Sequence, residues 1–162
     1  MRSDHELDAP PWLRVESTIM ATARQIRCLY DQRFACLDLN LSQASLLAYV
    51  GGFGAKTQTT LADHLGLGRA ATGTVIDQLE ARGLLARTPD PSDRRVWLIT
   101  TTASGDKLVN QISEIDAVVR EQLRSGTTKA ERQQLASVLV RIQDNLSAAT
   151  TPTNTTSTTT QN

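Results

Sequence analysis

The stretch from Gln58 to Thr102 limits the possible folds of this chain more than any other part of the sequence. Its apolar residues recur at helical spacing in two short segments. The first segment ends at Gly66 and the second at Gly83, since glycine suits the left-handed residue that often follows a helix. Two β-rich segments, Leu84–Thr88 and Arg95–Thr100, then flank a turn rich in Pro, Asp and Ser. This order of elements predicts a winged helix-turn-helix.

The second short helix, which we expect to begin near Gly68 or Arg69, has two different faces. Helical spacing places four of its side chains in the core: Thr72, Val75, Ile76 and Leu79. The outward face then carries Arg69, Ala70, Gly73, Thr74, Asp77 and Gln78. In the hairpin that follows, the alternation predicts that Trp97 and Ile99 point inward.

Longer helices are predicted on both sides of this stretch. An apolar stripe with intervals of three and four predicts a first helix of about 25 residues, with Trp12, Val15, Ile19, Ala23, Ile26, Tyr30 and Phe34 on one face. The next helix is expected to start with Ser42 as its N-cap and to stop at Gly51-Gly52 and Gly54, and Thr57 is expected to cap the third. After the hairpin, Thr102 caps a fifth helix, and Thr128 with Glu131 forms the capping box of a sixth.

The predicted fold class is therefore mainly α with a small β-hairpin wing. Residues 1–148 are interpreted as one domain, in which the winged helix-turn-helix occupies about residues 57–102. Helices at about residues 11–38 and 103–148 flank it, and their apolar stripes need a large partner surface that a second copy of the chain can supply. Residues 149–162 are rich in Thr and almost without apolar side chains, which predicts a disordered tail.

The composition excludes some classes of protein and leaves others open. Of 162 residues, 40% are hydrophobic and 21% are charged, which suits a folded domain. No apolar run is long enough to span a membrane, and the acidic N-terminus has no apolar signal core, so the cytoplasm is the expected compartment. Lys+Arg and Asp+Glu balance at 17 each. The net charge alone therefore gives no support to nucleic-acid binding.

Cysteine and histidine provide no basis for a metal site or a disulfide. Cys28 and Cys36 fall in one predicted helix about 12 Å apart, which is beyond the reach of a disulfide. His5 and His64 are far apart in sequence, and no zinc-binding spacing is present. No nucleophile–base pairing, paired acids or phosphate loop is found either. We therefore expect no catalytic residues, no metal and no cofactor, and the chain is not expected to be an enzyme.

Several short motifs, in order, resemble the MarR (multiple antibiotic resistance regulator) family of bacterial winged-helix transcription factors. They are Leu61-Ala62, Leu65-Gly66-Leu67, Leu79-Glu80, Gly83-Leu84-Leu85, Arg87, the run from Thr88 to Arg95, Thr102 and Gly105. With the flanking helices the resemblance extends over about residues 12–146. It implies a homodimeric regulator, expected to be a repressor, that binds pseudo-palindromic double-stranded DNA and is released by a small, often aromatic, ligand.

The resemblance and the physics of groove recognition assign DNA-binding roles to two regions. A recognition helix enters the major groove, where Arg69, Ala70, Gly73, Thr74 and Gln78 would meet bases or phosphates. For Gly73, two interpretations stay open: close approach of the helix backbone to DNA, or a tolerated surface glycine. The family's wing motif maps to Asp93 and Arg95, which we expect to form a charge-assisted hydrogen bond. Arg94 is expected to enter a minor groove.

Members of the family also bind ligands in a crevice between the dimer helices and the DNA-binding part. The resemblance suggests Trp12, Arg27, Tyr30, Tyr49 and Phe53 as its border, although each also suits plain core packing.

Two alternatives to a ligand-released regulator remain. One is a winged-helix module for protein contacts without DNA binding, which the balanced charge favours. The other is a cysteine-based redox-responsive regulator, although Cys28 and Cys36 have no adjacent His or Lys, and inert thiols are favoured. His64 is expected to be exposed, with a phosphate contact as the alternative.

Overall fold

The computed structural model describes Pro10 and residues 14–150, so Trp12 and the Thr-rich tail beyond residue 150 lie outside the described residues. Within this range a short 3-10 helix (Ala35–Leu37) follows α1. The elements are α1 (Val15–Phe34), α2 (Leu41–Phe53), β1 (Lys56–Thr57), α3 (Gln58–Leu65), α4 (Arg69–Ala81), β2 (Leu85–Pro89), β3 (Trp97–Thr101), α5 (Ala103–Arg124) and α6 (Lys129–Thr150). The predicted fold class, helices with a small β wing, is confirmed.

The chain divides into two compact units, one up to Glu121 and one from Gln122 onward. The core of the first unit is apolar and draws on every helix from α1 to α5. Its fully buried side chains include Leu46, Leu47, Leu61, Ile76 and Leu79. Each buried Leu or Ile contributes about 1.5–3 kcal/mol relative to an exposed one, so this core is the main source of stability for the helix-turn-helix.

The sheet has three antiparallel strands in the order β1-β3-β2. Arg87 of β2 pairs with Ile99 of β3, which pairs in turn with Lys56 of β1. Two residues are too few to produce an alternating pattern, so β1 was not predicted. The predicted cap beside it is confirmed, because the Thr57 side chain accepts a hydrogen bond from the N–H of Thr60.

The predicted limits of α2 were wrong at both ends. Asn40, not Ser42, is its N-cap, and the side chain of Gln43 completes a capping box with it. The helix also continues through Gly51 and Gly52 to Phe53, so that, of the three glycines predicted to stop it, Gly54 alone does so, as the C-cap. Gly51 has a packing role, since a Cβ at this position would lie 2.8 Å from Cγ2 of Val109 in α5. Gly51 therefore allows close contact between the two helices instead of ending one of them.

Several predicted helix ends are confirmed. Gly66 and Gly83 adopt φ angles of 61° and 69°, the left-handed conformation expected after α3 and α4. Thr102 caps α5, because its hydroxyl oxygen accepts the N–H of Gly105 at 3.1 Å. The same hydroxyl donates to the Gly83 carbonyl at 2.6 Å, which ties the end of the β-hairpin to the end of α4.

The hairpin strands begin and end one or two residues from the predicted positions, and the inward orientation of Trp97 was wrong. Ile99 is 1% exposed, as expected, whereas Trp97 is 54% exposed. The two side chains share one face of β3, but Trp97 pairs with Pro89 at the far end of the hairpin. Burial fades along β2 from Leu85 to Pro89, so the sheet extends beyond the core at this end. The alternation of side chains along a strand predicts the face of the sheet on which a residue lies, but not how far the buried core extends along the strand.

The second unit consists of the end of α5, a turn and α6. The predicted capping box at the start of α6 is confirmed: the Glu131 carboxylate accepts the N–H of Thr128 at 2.7 Å, and the Thr128 hydroxyl accepts the N–H of Glu131 at 3.2 Å. The bond from the Thr128 N–H, and after it a bond that the Thr128 hydroxyl donates to the same carboxylate, lower the pKa of Glu131. Leu135, Val140 and Leu146 of α6 are more than half exposed. Among the described helices, none is long and apolar enough to cross a membrane.

Candidate nucleic-acid interface

The helix α4 presents the face that the sequence predicted. Thr72, Ile76 and Leu79 are buried and Val75 is partly buried. The Thr72 hydroxyl donates to the Gly68 carbonyl at 3.1 Å, so this buried polar group has a partner. Arg69, Ala70, Thr74, Asp77 and Gln78 are exposed, and Gly73 is partly exposed. The five residues proposed to meet DNA from this helix therefore lie on its accessible side.

A cluster of charges connects α4 to the hairpin. Arg87 of β2 bonds to Asp77 at 2.5 Å and forms a second ion pair with Glu80. The hydrogen bond to Asp77 is the main cause that raises the pKa of Arg87 above its ordinary value. Asp77 lies on the same accessible face as Arg69, and an unpaired carboxylate there would repel a phosphate. Arg87 offsets that charge and fixes β2 against the recognition helix, a role that the sequence motif alone did not reveal.

The middle and the end of α4 are tied to the segment that leads into α2. Oε1 of Gln78 accepts a hydrogen bond from Nε2 of Gln43 at 2.9 Å, and Gln43 also completes the cap of α2. Arg82 donates to the carbonyl oxygens of Asp38 at 2.6 Å and Leu37 at 3.1 Å. The Gln78 side chain is thus engaged within the protein, and α4 is held where α1 connects to α2.

Gly73 lies one turn after the start of α4; two interpretations of it were open, and the structure supports a third. Nε2 of Gln58, at the start of α3, donates to the Arg69 carbonyl at 3.1 Å. A Cβ at Gly73 would lie 3.0 Å from that same nitrogen. The glycine therefore leaves space for a side chain of the neighbouring helix. Sequence reasoning missed Gln58 because its partner lies across the turn.

In the wing tip, residues 90–96, carboxylates fold the loop and leave the arginines exposed. The expected charge-assisted bond between Asp93 and Arg95 is present, and it uses the backbone of Arg95: Oδ1 of Asp93 accepts the Arg95 N–H at 3.0 Å. A carboxylate two residues before an N–H reaches it within a local turn, which leaves the guanidinium outside. Within the described part of the chain, no ion pair or hydrogen bond engages the guanidinium of Arg94, Arg95 or Arg69.

A second carboxylate shapes the same loop. Oδ1 of Asp90 accepts the hydroxyl of Ser92 at 2.6 Å and its N–H at 2.7 Å. The bond from the hydroxyl is the main cause that lowers the pKa of Asp90, and the bond from the N–H adds to it. The loop closes with bonds from Asp90 N–H to the Val96 carbonyl and from Val96 N–H to the Asp93 carbonyl. Arg94 thus stands at the tip of an internally bonded turn.

The residues suggested for a ligand crevice are distributed over three places, and Trp12 lies outside the described residues. Tyr30 borders a cavity of about 320 Å³ between α1, α2 and α5, together with Phe34, Ser45, Ile112 and Asp116. Its hydroxyl donates to Asp116 at 2.9 Å, and Asp116 is also ion-paired with Arg120. The remaining border residues include Leu41 and Ser113, which the sequence did not identify.

The other suggested crevice residues lie elsewhere. Tyr49 stacks on His64 with ring centroids 3.7 Å apart and contacts Phe53 at 4.8 Å. His64 is exposed, as predicted. Arg27 lines a shallow groove on α1 with Arg24, Cys28 and Gln32.

Both cysteines are exposed and neither forms a disulfide. Sγ of Cys28 accepts a hydrogen bond from Nε2 of Gln32 at 3.4 Å, and Cys36 donates to the Arg33 carbonyl. Among the described residues, no cluster of three His, Cys, Asp or Glu side chains could hold a metal ion.

Comparison with known proteins gives the fold and a family whose model matches part of the chain. A model of the MarR family matches residues 37–96. The Bordetella bronchiseptica regulator BpsR, whose DNA binding is regulated by 6-hydroxynicotinic acid, is 24% identical, with a TM-score of 0.76 over 84% of this chain and 97% of that protein. The transcriptional repressor CouR, solved on a 23-mer DNA duplex, is 25% identical, with a TM-score of 0.72 over 80% and 92%. The transcriptional regulator PA3341 is 29% identical, with a TM-score of 0.74 over 82% and 98%.

Proposed function

We propose that the chain is a winged-helix transcriptional regulator of the MarR family and that it works as a homodimeric repressor, released from DNA by a small ligand. A regulator of this family is not an enzyme. In the proposed complex α4 lies in the major groove and the wing tip reaches a flanking minor groove. The protein would act in the cytoplasm, on pseudo-palindromic DNA.

The main support for DNA binding is the position of three arginine side chains that make no ion pair among the described residues. Arg69 begins the recognition helix, and Arg94 and Arg95 stand at the wing tip, each exposed and without an ion pair among the described residues. The acidic side chains near them are occupied: Asp77 by Arg87, and Asp90 and Asp93 by loop N–H groups. A balanced chain can therefore still offer local positive charge to phosphates, which provide most of the affinity in such complexes.

Exposed apolar side chains support the homodimer. Apart from Phe53 and Trp97, every large apolar side chain that is exposed in the described range lies on α1, α5 or α6. They are Val15, Met20, Val118, Leu123, Leu135, Val140 and Leu146. Covering these side chains with a second copy removes apolar surface from water and provides the free energy of association. A dimer would also place two copies of α4 about one helical turn of DNA apart, roughly 34 Å.

The cavity at Tyr30 is the place where we propose that the ligand binds. Its wall combines apolar side chains with the hydroxyls of Tyr30 and Ser45 and the carboxylate of Asp116, which suits a small aromatic molecule with polar groups. Regulation of BpsR by an aromatic acid supports this class of ligand. The cavity borders α2, which is bonded to α4 through Gln43 and Gln78. A ligand that fits one position of α2 better than another would therefore change DNA affinity.

Footprinting on the DNA upstream of the protein's own gene tests the proposal. We expect protection of a pseudo-palindrome with half-sites about 10 base pairs apart, and loss of that protection with 6-hydroxynicotinic acid or another small aromatic acid. Folded protein that protects no DNA in this region would contradict the repressor. If the protein protects the site but no aromatic acid changes the protection, the proposed DNA binding is supported and the proposed class of ligand is wrong.

A winged-helix module for protein contacts is the second candidate, because positive and negative charges balance and much of the α4 face is bonded internally. Such a module would bind DNA weakly and without preference for the upstream sequence. The redox alternative is a separate prediction: Cys28 is exposed and shares its groove with Arg24 and Arg27. A Cys28→Ala variant with the same DNA affinity as the unmodified protein, before and after peroxide, would exclude it.

A further inference from the structure

Gln58 connects the first turns of the two helices in the helix-turn-helix. It is the first residue of α3, and its side-chain Nε2 donates to the carbonyl oxygen of Arg69, the first residue of α4, at 3.1 Å. The bond spans eleven residues and crosses the turn at Gly66. It therefore fixes the distance between the two helix starts independently of the turn itself.

The start of α4 has no side-chain cap of its own. Its N-cap is Gly68, which makes no side-chain cap bond. A Ser, Thr, Asp or Asn in that place would hold the first turn with a side-chain oxygen. Within the helix the Thr72 hydroxyl bonds to the Gly68 carbonyl, and Gln58 supplies the side-chain bond from another helix, to the Arg69 backbone.

Gly73 is the partner that this arrangement requires. In an α-helix the carbonyl of residue 69 also accepts the N–H of residue 73, so the Gln58 amide approaches the helix next to Gly73. A Cβ there would lie 3.0 Å from Nε2 of Gln58, closer than ordinary van der Waals contact. Alanine at position 73 would make the amide shift by a few tenths of an ångström, which weakens its bond to the Arg69 carbonyl. The usual cost of glycine within a helix, about 1 kcal/mol relative to alanine, is thereby explained by a contact inside the protein.

We infer that Gln58 is a positioning residue for DNA recognition, which holds Arg69 in register with the bases and depends on Gly73 for the space to do so. The inference rests on the proposed DNA binding. It assigns no contact with DNA to Gln58 or Gly73 themselves. Loss of the bond would change how well the protein distinguishes its own site from other DNA, because Arg69 would lose its fixed position.

A double-mutant cycle tests this inference. We compare the unmodified protein, Gln58→Ala, Gly73→Ala and the double variant for binding to the upstream site and to unrelated DNA. Each single variant should bind the site about fivefold more weakly, the effect of one lost neutral hydrogen bond, with unchanged binding to unrelated DNA. The double variant should also be about fivefold weaker, not 25-fold, since both changes break the same bond.

Gly52→Ala is the matched control, because Gly52 is also an exposed glycine within a helix and a Cβ there meets nothing within 4 Å. It should raise the melting temperature and leave DNA binding unchanged. In the unmodified protein, Gly73→Ala should raise the melting temperature less than Gly52→Ala does. In the Gln58→Ala background, Gly73→Ala should raise it by an amount similar to that of Gly52→Ala. These melting curves detect the contact between Gln58 and Gly73 without DNA.

Three results would overturn the inference, and they differ. Equal weakening by Gly73→Ala with and without Gln58 would mean that Gly73 serves an approach to DNA instead. Unchanged discrimination between the site and unrelated DNA in Gln58→Ala would remove the positioning role. If the unmodified protein bound no DNA, the proposed function itself would fall and take this inference with it, whatever the melting curves showed.

Discussion

The outward face of α4 and the wing tip carry similar polar side chains, but those side chains are engaged in opposite ways. On α4, Asp77 is paired with Arg87 and Gln78 with Gln43, so the partners belong to other elements. In the wing tip, the carboxylates of Asp90 and Asp93 bond to nearby backbone N–H groups. The difference indicates that the two regions have different roles. Side-chain bonds fix the orientation of the helix, whereas the wing keeps its guanidinium groups available for phosphates.

Removing Arg87 should produce the largest change, because its side chain holds the hairpin against the outward face of α4. In Arg87→Ala, the Asp77 and Glu80 carboxylates would lose their guanidinium partner, and only the backbone N–H of residue 87 would still bond to Glu80. We expect DNA affinity to fall by about 30-fold or more, the equivalent of about 2 kcal/mol, together with a lower melting temperature. Arg87→Lys should be intermediate, since one ammonium cannot replace the forked bonds to both carboxylates. Binding within twofold of the unmodified protein would break the comparison.

Removing a wing guanidinium should weaken binding without affecting stability. Arg94 is exposed and makes no ion pair in the described range, so Arg94→Ala should change the melting temperature by less than about 1 °C. Its affinity for DNA should fall by about tenfold, as expected for one lost charged contact in each protomer. Fluorescence anisotropy measures the affinity, and Arg95→Ala, which removes the other exposed wing guanidinium, should weaken binding in the same assay. A stable Arg94→Ala variant with normal affinity would show that the wing does not supply the charge.

Changing Gln78 should matter less than changing Arg94, because its amide is engaged with Gln43. We expect Gln78→Ala to reduce affinity by about twofold, within the range of a loosened internal bond. Lys56→Ala, a change on the β1 strand, serves as a charge control in the same titration. A larger loss from Gln78→Ala than from Arg94→Ala would mean that the glutamine leaves Gln43 and reads a base, and it would reverse the comparison.

The smallest effect concerns the turn at Asp90 and appears only in acid. Because the Ser92 hydroxyl lowers the pKa of Asp90, the ionised carboxylate stabilises the folded wing above the ordinary carboxyl pKa of about 4. That contribution is lost as the pH falls through the lowered folded-state pKa. In Ser92→Ala the pKa of Asp90, followed by carboxyl NMR, should move upward toward its ordinary value. A pKa of Asp90 that does not move would contradict the assigned cause.

The parts that could be predicted from sequence are those set by neighbours in the chain. The left-handed glycines at 66 and 83 and the caps at Thr57, Thr102 and Thr128 depend on residues within one helical turn, and all were correct. The two helices, the turn and the hairpin followed from periodicity for the same reason.

Most of the errors and omissions concern contacts between distant residues, whereas the N-cap of α2, Asn40 instead of Ser42, is a local error. Asp77 and Gln78 were placed on the correct face, but their partners come from β2 and α2, and spacing cannot provide a partner 35 residues away. Gly73 was correctly seen as unusual, yet its reason is the side chain of Gln58 across the turn. Gly51 was predicted to end α2, but it lies within the helix and allows close packing against Val109. In each case the residue type marked the position as unusual or exposed, and only the packed structure showed which residue it contacts.

The central claim is that phosphates are met by the wing arginines and that α4 is positioned by internal bonds. The salt dependence of affinity for the upstream DNA tests it most directly. For the unmodified dimer, log affinity should fall steeply with log salt, and Arg94→Ala should reduce the slope by about 2, since each lost phosphate contact removes about 0.9. Gln78→Ala should leave the slope unchanged. A flat dependence in the unmodified protein, or an Arg94→Ala line parallel to it, would contradict the account.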